Sequence, residues 1–71
     1  MRLKAVLAAA HKAAATGFYK PAVNFLMEDS GKSFTEALNA IGKAIDSGML
    51  SGAPGHRVDL TPKGVTTLKS G

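Results

Sequence analysis

Asn39 and Lys43 stand four residues apart, so a helix through them sets an amide and an ammonium side by side, one turn apart, on its solvent face. Asparagine suits the paired donor and acceptor of adenine, and lysine suits guanine or a phosphate, so together they can enter a nucleic-acid groove. The alternative is a solvated helix face that does no more than keep the helix in water. Glu36 can accept from a cytosine amine, but its spacing from Ser33 accounts for it more simply. Ser33-x-x-Glu36 is a capping box, in which each side chain satisfies an orphan backbone amide at the start of a helix. Gly31-Lys32-Ser33 has the ending of a phosphate-binding loop, G-x-x-x-x-G-K-[ST], yet Leu26 occupies the place of its first glycine and no strand precedes it. A turn followed by an N-cap explains the same residues.

Catalytic and metal chemistry find little support. His11 and His56 are the only histidines, there is no cysteine, and no carboxylate stands at ligand spacing, so no metal or other cofactor is expected. His56 and Asp59 fall on an expected hairpin loop, a poor place for a preorganised base, and an enzyme is not expected. Phe18 and Tyr19 read as plugs between two helices, because 6% aromatic content is too sparse for a base-stacking platform. Nine Lys and Arg against five Asp and Glu leave a net charge of +4, which favours an anionic partner without demanding one. Lys4, Lys12, Lys20, Lys32, Arg57, Lys63 and Lys69 are scattered along the chain, so any basic patch must be assembled by folding.

The frame for these residues is one small domain spanning 1–71, since 71 residues with 45% hydrophobic content hold a single core. Without cysteine that core rests on packing alone, and a reducing cytoplasmic setting is expected. The apolar run from Ala5 to Ala10 is shorter than the roughly 7 to 15 residues of a secretory leader, and nothing approaches the roughly 20 of a membrane span. A soluble protein with no membrane partner is expected.

Helical periodicity predicts a first helix over about Arg2 to Thr16, with Leu3, Val6, Leu7, Ala10 and Ala14 inward and Gly17 as its stop. Pro21 opens a second, faced by Val23, Phe25, Leu26 and Met27 and ended by Ser30 and Gly31. Glu28 and Asp29 fall in its last turn, where the helix dipole disfavours acids, with Lys32 the one nearby offset. The third begins at Phe34, buries Phe34, Leu38, Ile41 and Ile45, and stops at Gly48, with Met49 as the following apolar residue. Gly42 inside it costs about 1 kcal/mol relative to Ala; a missing side chain there lets another helix or a nucleic-acid backbone approach closely, and close helix packing is the expected reason. Met49 and Leu50, a Ser51-Gly52-Ala53-Pro54-Gly55 turn cluster and an alternating Arg57-Val58-Asp59-Leu60 predict a hairpin. Thr61 caps and Pro62 starts a short last helix with Val65 and Leu68 inward.

The run AIDSGMLSG at the end of the third helix, and HRVDLTPKGVTTL after it, resemble the helix-to-strand step and the return strand with following helix of winged helix-turn-helix domains. The resemblance covers residues 20–69 at the level of pattern. It implies a mainly helical fold with a two-stranded wing, and binding of double-stranded DNA by a regulator of transcription or of a mobile element. Carried over by position, Ser33, Thr35, Glu36, Asn39 and Lys43 would face DNA, with Lys32 near a phosphate and His56 and Arg57 on the wing. A second function class stays open, a winged-helix module that presents its third or first helix to a protein partner, as an adaptor or inhibitor does. A homodimer joined through the small residues of the first helix is compatible with either.

Overall fold

Alanine sets the spacing of this molecule. Of the twelve hydrophobic residues buried among those described, five are alanines, Ala9, Ala10, Ala22, Ala37 and Ala44. Helices that meet through methyl groups come close, and the larger side chains Leu7, Leu26, Ile41 and Leu50 fill the space between them. Each such fully buried side chain contributes about 1.5 to 3 kcal/mol of transfer free energy.

The computed structural model describes residues 2–15, 22–54 and 57–70. In chain order the elements are α1 (Leu3–Ala15), α2 (Ala22–Ser30), α3 (Phe34–Asp46), β1 (Leu50–Gly52), β2 (Val58–Leu60) and α4 (Pro62–Lys69). The protein is thus mainly helical with a small two-stranded antiparallel sheet, in which Leu50 pairs with Leu60, Ser51 with Asp59 and Gly52 with Val58. α1 is the hub and packs against α2, α3, β2 and α4. No helix among the described residues is long and apolar enough to cross a membrane.

The inward faces differ from the expected stripes in an informative way. Phe34, expected inside, is 50% exposed, and Leu38 and Ile45 are half-buried, while Ala37, Ile41 and Ala44 face the core. The core face of α3 thus centres on Ile41 between two alanines, with Phe34, Leu38 and Ile45 toward its flank. Leu3 and Ala14, at the two ends of the α1 stripe, are likewise exposed, because the core spans only the turns from Val6 to Ala10. Ser51 and Gly52, read as turn, belong to β1, and the strand after the loop begins at Val58 rather than Arg57. Gly17, Phe18, Tyr19 and Pro21, expected to stop α1, plug the junction and open α2, lie outside the described residues.

The end of α2 carries a compensation that adjacent residues did not reveal. Lys12 donates from α1 to Asp29 at 2.9 Å, so the acid at the unfavourable end of the dipole is met by a cation from the neighbouring helix. The pair is about half exposed, which limits its contribution to under about 1 kcal/mol.

The passage from α3 to α4 is the most tightly specified part of the chain. Gly48, at φ +79°, ends α3 in the left-handed region; its N–H bonds the Ile45 carbonyl at 3.0 Å and that of Met49 bonds Ala44 at 3.0 Å. These two bonds make a Schellman cap. The carbonyls of Ser47, Gly48 and Met49 are taken by Lys63 and Thr61. Lys63 Nζ donates to the Ser47 oxygen at 3.2 Å, Thr61 Oγ1 donates to Gly48, and the Thr61 N–H donates to Met49 at 3.1 Å. Thr61 Oγ1 also accepts the Gly64 N–H at 3.1 Å, capping α4, with Pro62 in its first turn. Gly64 lies so close beneath that a β-carbon there would overlap the Met49 carbonyl oxygen and meet Leu60 Cδ2 at 3.1 Å. Val65 and Leu68, expected inward, are half-buried, and Gly64 is the buried residue of α4.

Candidate nucleic-acid interface

The site begins in the turn that joins α2 to α3. The Ser30 hydroxyl donates to the Leu26 carbonyl at 2.6 Å and accepts the Lys32 N–H at 3.2 Å, fixing the backbone of Lys32 and leaving its side chain in solvent. Ser33 is the N-cap of α3. Its hydroxyl accepts the Glu36 N–H at 3.2 Å and donates to Glu36 Oε1 at 3.3 Å, so the Ser33 half of the expected capping box is present, while the Glu36 carboxylate meets the Ser33 hydroxyl rather than its backbone N–H. Two consequences follow for recognition. The Ser33 hydroxyl is already engaged at the cap, and the Glu36 carboxylate is drawn back to the positive end of the helix dipole.

From there the outer face of α3 runs through Thr35, Asn39, Lys43 and Asp46, all exposed, opposite the buried Ala37, Ile41 and Ala44. Helical spacing brings Thr35, Asn39 and Lys43 into one row at successive turns. Lys43 makes no ion pair among the described residues. The row stands between two depressions. On the α1 side, a groove of about 530 Å³ has Val6, Ala40 and Ala44 along its floor, with Leu3 at its edge and the exposed Glu36, Asn39, Lys43 and Ser47 around it. On the hairpin side, a notch of about 410 Å³ is lined by Leu38, Asn39, Gly42, Lys43, Asp46 and Pro54.

Gly42 sits in that notch with the loop between β1 and β2, not another helix, against it, which corrects the expectation of close helix packing. A β-carbon on Gly42 would meet only Pro54 Cγ, at 3.7 Å, an ordinary contact. The fold itself has room for alanine there.

Arg57 is exposed at the end of the hairpin loop, where its Nε lies 3.7 Å from Asp59 Oδ1. The acid shares the solvent face of the hairpin and partly offsets the cation, although both side chains are more than half exposed and water screens the pair. His56 lies outside the described residues. Thus Lys32, Ser33, Thr35, Asn39 and Lys43 form one continuous surface from the turn along α3, and Arg57 stands on the separate hairpin whose loop leans on α3 through Pro54. Sequence reasoning placed Asp46 on the outward face of the third helix but missed Pro54 as part of this surface. The available signal was Gly42, whose presence in mid-helix asked for a neighbour, but nothing in the sequence said which element supplied it. Among the described residues no three His, Cys, Asp or Glu side chains gather to hold a metal ion. No protein-family model, curated protein or solved structure matches this chain.

Proposed function

We propose that this chain is a winged helix-turn-helix protein that binds double-stranded DNA and regulates transcription or a mobile element, with α3 entering the major groove and the hairpin meeting the backbone. The observation that carries the reading is the row Thr35, Asn39 and Lys43, a hydroxyl, an amide and an unpaired ammonium at successive turns on the uncovered face of the helix that follows the α2–α3 turn. In this arrangement Asn39 and Lys43 read base edges, Thr35 reaches an edge or a phosphate, Lys32 and Arg57 hold phosphates, and Ser33 acts through the cap that aims the helix. Phosphate contacts position the protein and base contacts specify the sequence.

The test is a fluorescence-anisotropy titration of a random duplex pool at two salt concentrations, with sequencing of the bound fraction. Salt-sensitive binding with an enriched motif is expected. Asn39→Ala relaxes one position of that motif by about 1 to 3 kcal/mol, and Arg57→Ala weakens all sequences alike. If neither substitution alters binding, the proposed orientation is wrong.

One observation favours a second reading, a protein-interaction module. The groove between α1 and α3 has an apolar floor, and Leu3 at its edge is 38% exposed. Absence of duplex binding at low salt removes the DNA reading and moves the search to protein partners by pull-down.

A further inference from the structure

Gly42 breaks a local rule that the fold does not require it to break. Mid-helix glycine weakens α3, yet an alanine methyl would fit, since the nearest atom is Pro54 Cγ at an ordinary 3.7 Å. A missing side chain that internal packing does not use leaves room for something outside. The notch around it shows what kind of group fits. Its floor of Leu38, Gly42 and Pro54 is apolar, and its rim carries the Asn39 amide with one cation, Lys43, and one anion, Asp46. The opposed charges give no net attraction for a phosphate, and the Asp46 carboxylate repels one. A base edge is the complementary partner, because it is uncharged, offers donors and acceptors to the rim, and in thymine carries a methyl group for the floor.

We propose that this notch seats the C5-methyl group of a thymine against Gly42, between Leu38 and Pro54, beside an adenine held by Asn39. The inference rests on the reading of α3 as the DNA-contacting helix and names the base it selects. Gly42 is three residues beyond Asn39 on the same side of the helix, so the two address neighbouring features of the groove edge. Removing the β-carbon lets the methyl approach the helix backbone itself.

The test uses the full chain and the duplex enriched from the random pool, with each thymine replaced singly by uracil. That exchange deletes the methyl and leaves base pairing and backbone unchanged. At one position the replacement weakens binding about fourfold, the equivalent of one buried methyl, and has no effect elsewhere. Gly42→Ala stays folded by circular dichroism, binds the thymine duplex more weakly than the wild type, and no longer distinguishes thymine from uracil at that position. Wild-type binding that ignores every uracil replacement overturns the methyl seat while leaving the DNA reading standing. So does a Gly42→Ala variant that keeps the full thymine preference. No duplex binding at low salt overturns both.

Discussion

Gly64 and Gly42 are both glycines inside helices, and they differ in what surrounds them. At Gly64 a β-carbon has nowhere to go, because the Met49 carbonyl occupies its place, and the neighbouring Thr61 and Lys63 bond consecutive carbonyls at the end of α3. At Gly42 a β-carbon has room, and its neighbours Asn39 and Lys43 are exposed with no ion pair among the described residues. The first region is committed inward and the second is uncommitted. A residue type that the chain's own geometry demands says nothing about a partner, whereas one that the geometry does not demand points outward.

The contrast breaks most visibly at Gly64. Gly64→Ala should destabilise the fold by about 3 kcal/mol or more, because the overlap is with backbone and α4 must move away from the α3–β1 step. Urea unfolding followed by circular dichroism reads the loss, and a midpoint equal to the wild type would contradict the close approach. Thr61→Ala should cost about 1 to 2 kcal/mol in the same assay, removing the cap on Gly64 and the donor to Gly48 together. Thr61→Ser should recover most of that, since the hydroxyl is what both bonds use. Gly42→Ala should move the other way, stabilising by about 1 kcal/mol, equivalent to a rise of roughly 4 to 8 °C in Tm for a domain of this size. A fall in Tm would mean that the contact with Pro54 is tighter than its geometry indicates. The smallest effect belongs to the exposed pair between α1 and α2. Lys12→Ala should cost under about 1 kcal/mol, and the difference from wild type should shrink as salt rises.

How far the sequence could be read divides along the same line. The N-cap at Ser33, the stop at Gly48, the cap at Thr61 and the start at Pro62 are local rules, decided within four residues, and each is present in the structure. The interior of α3 was misread for a physical reason. Periodicity weights large apolar residues, so Phe34 and Leu38 were placed inside. In the structure Ile41 is buried between the methyl groups of Ala37 and Ala44, and these three make the core face. The Lys12–Asp29 pair, the carbonyls bonded by Thr61 and Lys63, and the contact of Pro54 with Gly42 join residues 12 to 17 positions apart, and no local rule reports such distances. Asn39 and Lys43 on the exposed row were legible from helical spacing, while Thr35 came from the winged-helix resemblance. The notch beside it was not, because its far wall comes from the hairpin.

The central claim is that the uncommitted face of α3 meets duplex DNA, and backbone amide shifts measured by NMR during titration with the enriched duplex test it most directly. The account expects perturbations concentrated at Lys32, Thr35, Asn39, Gly42 and Lys43, with Arg57 on the hairpin, that fade as salt is raised. Shifts confined to the outer side of α1, around His11 and Ala14, or none at low salt, would contradict it.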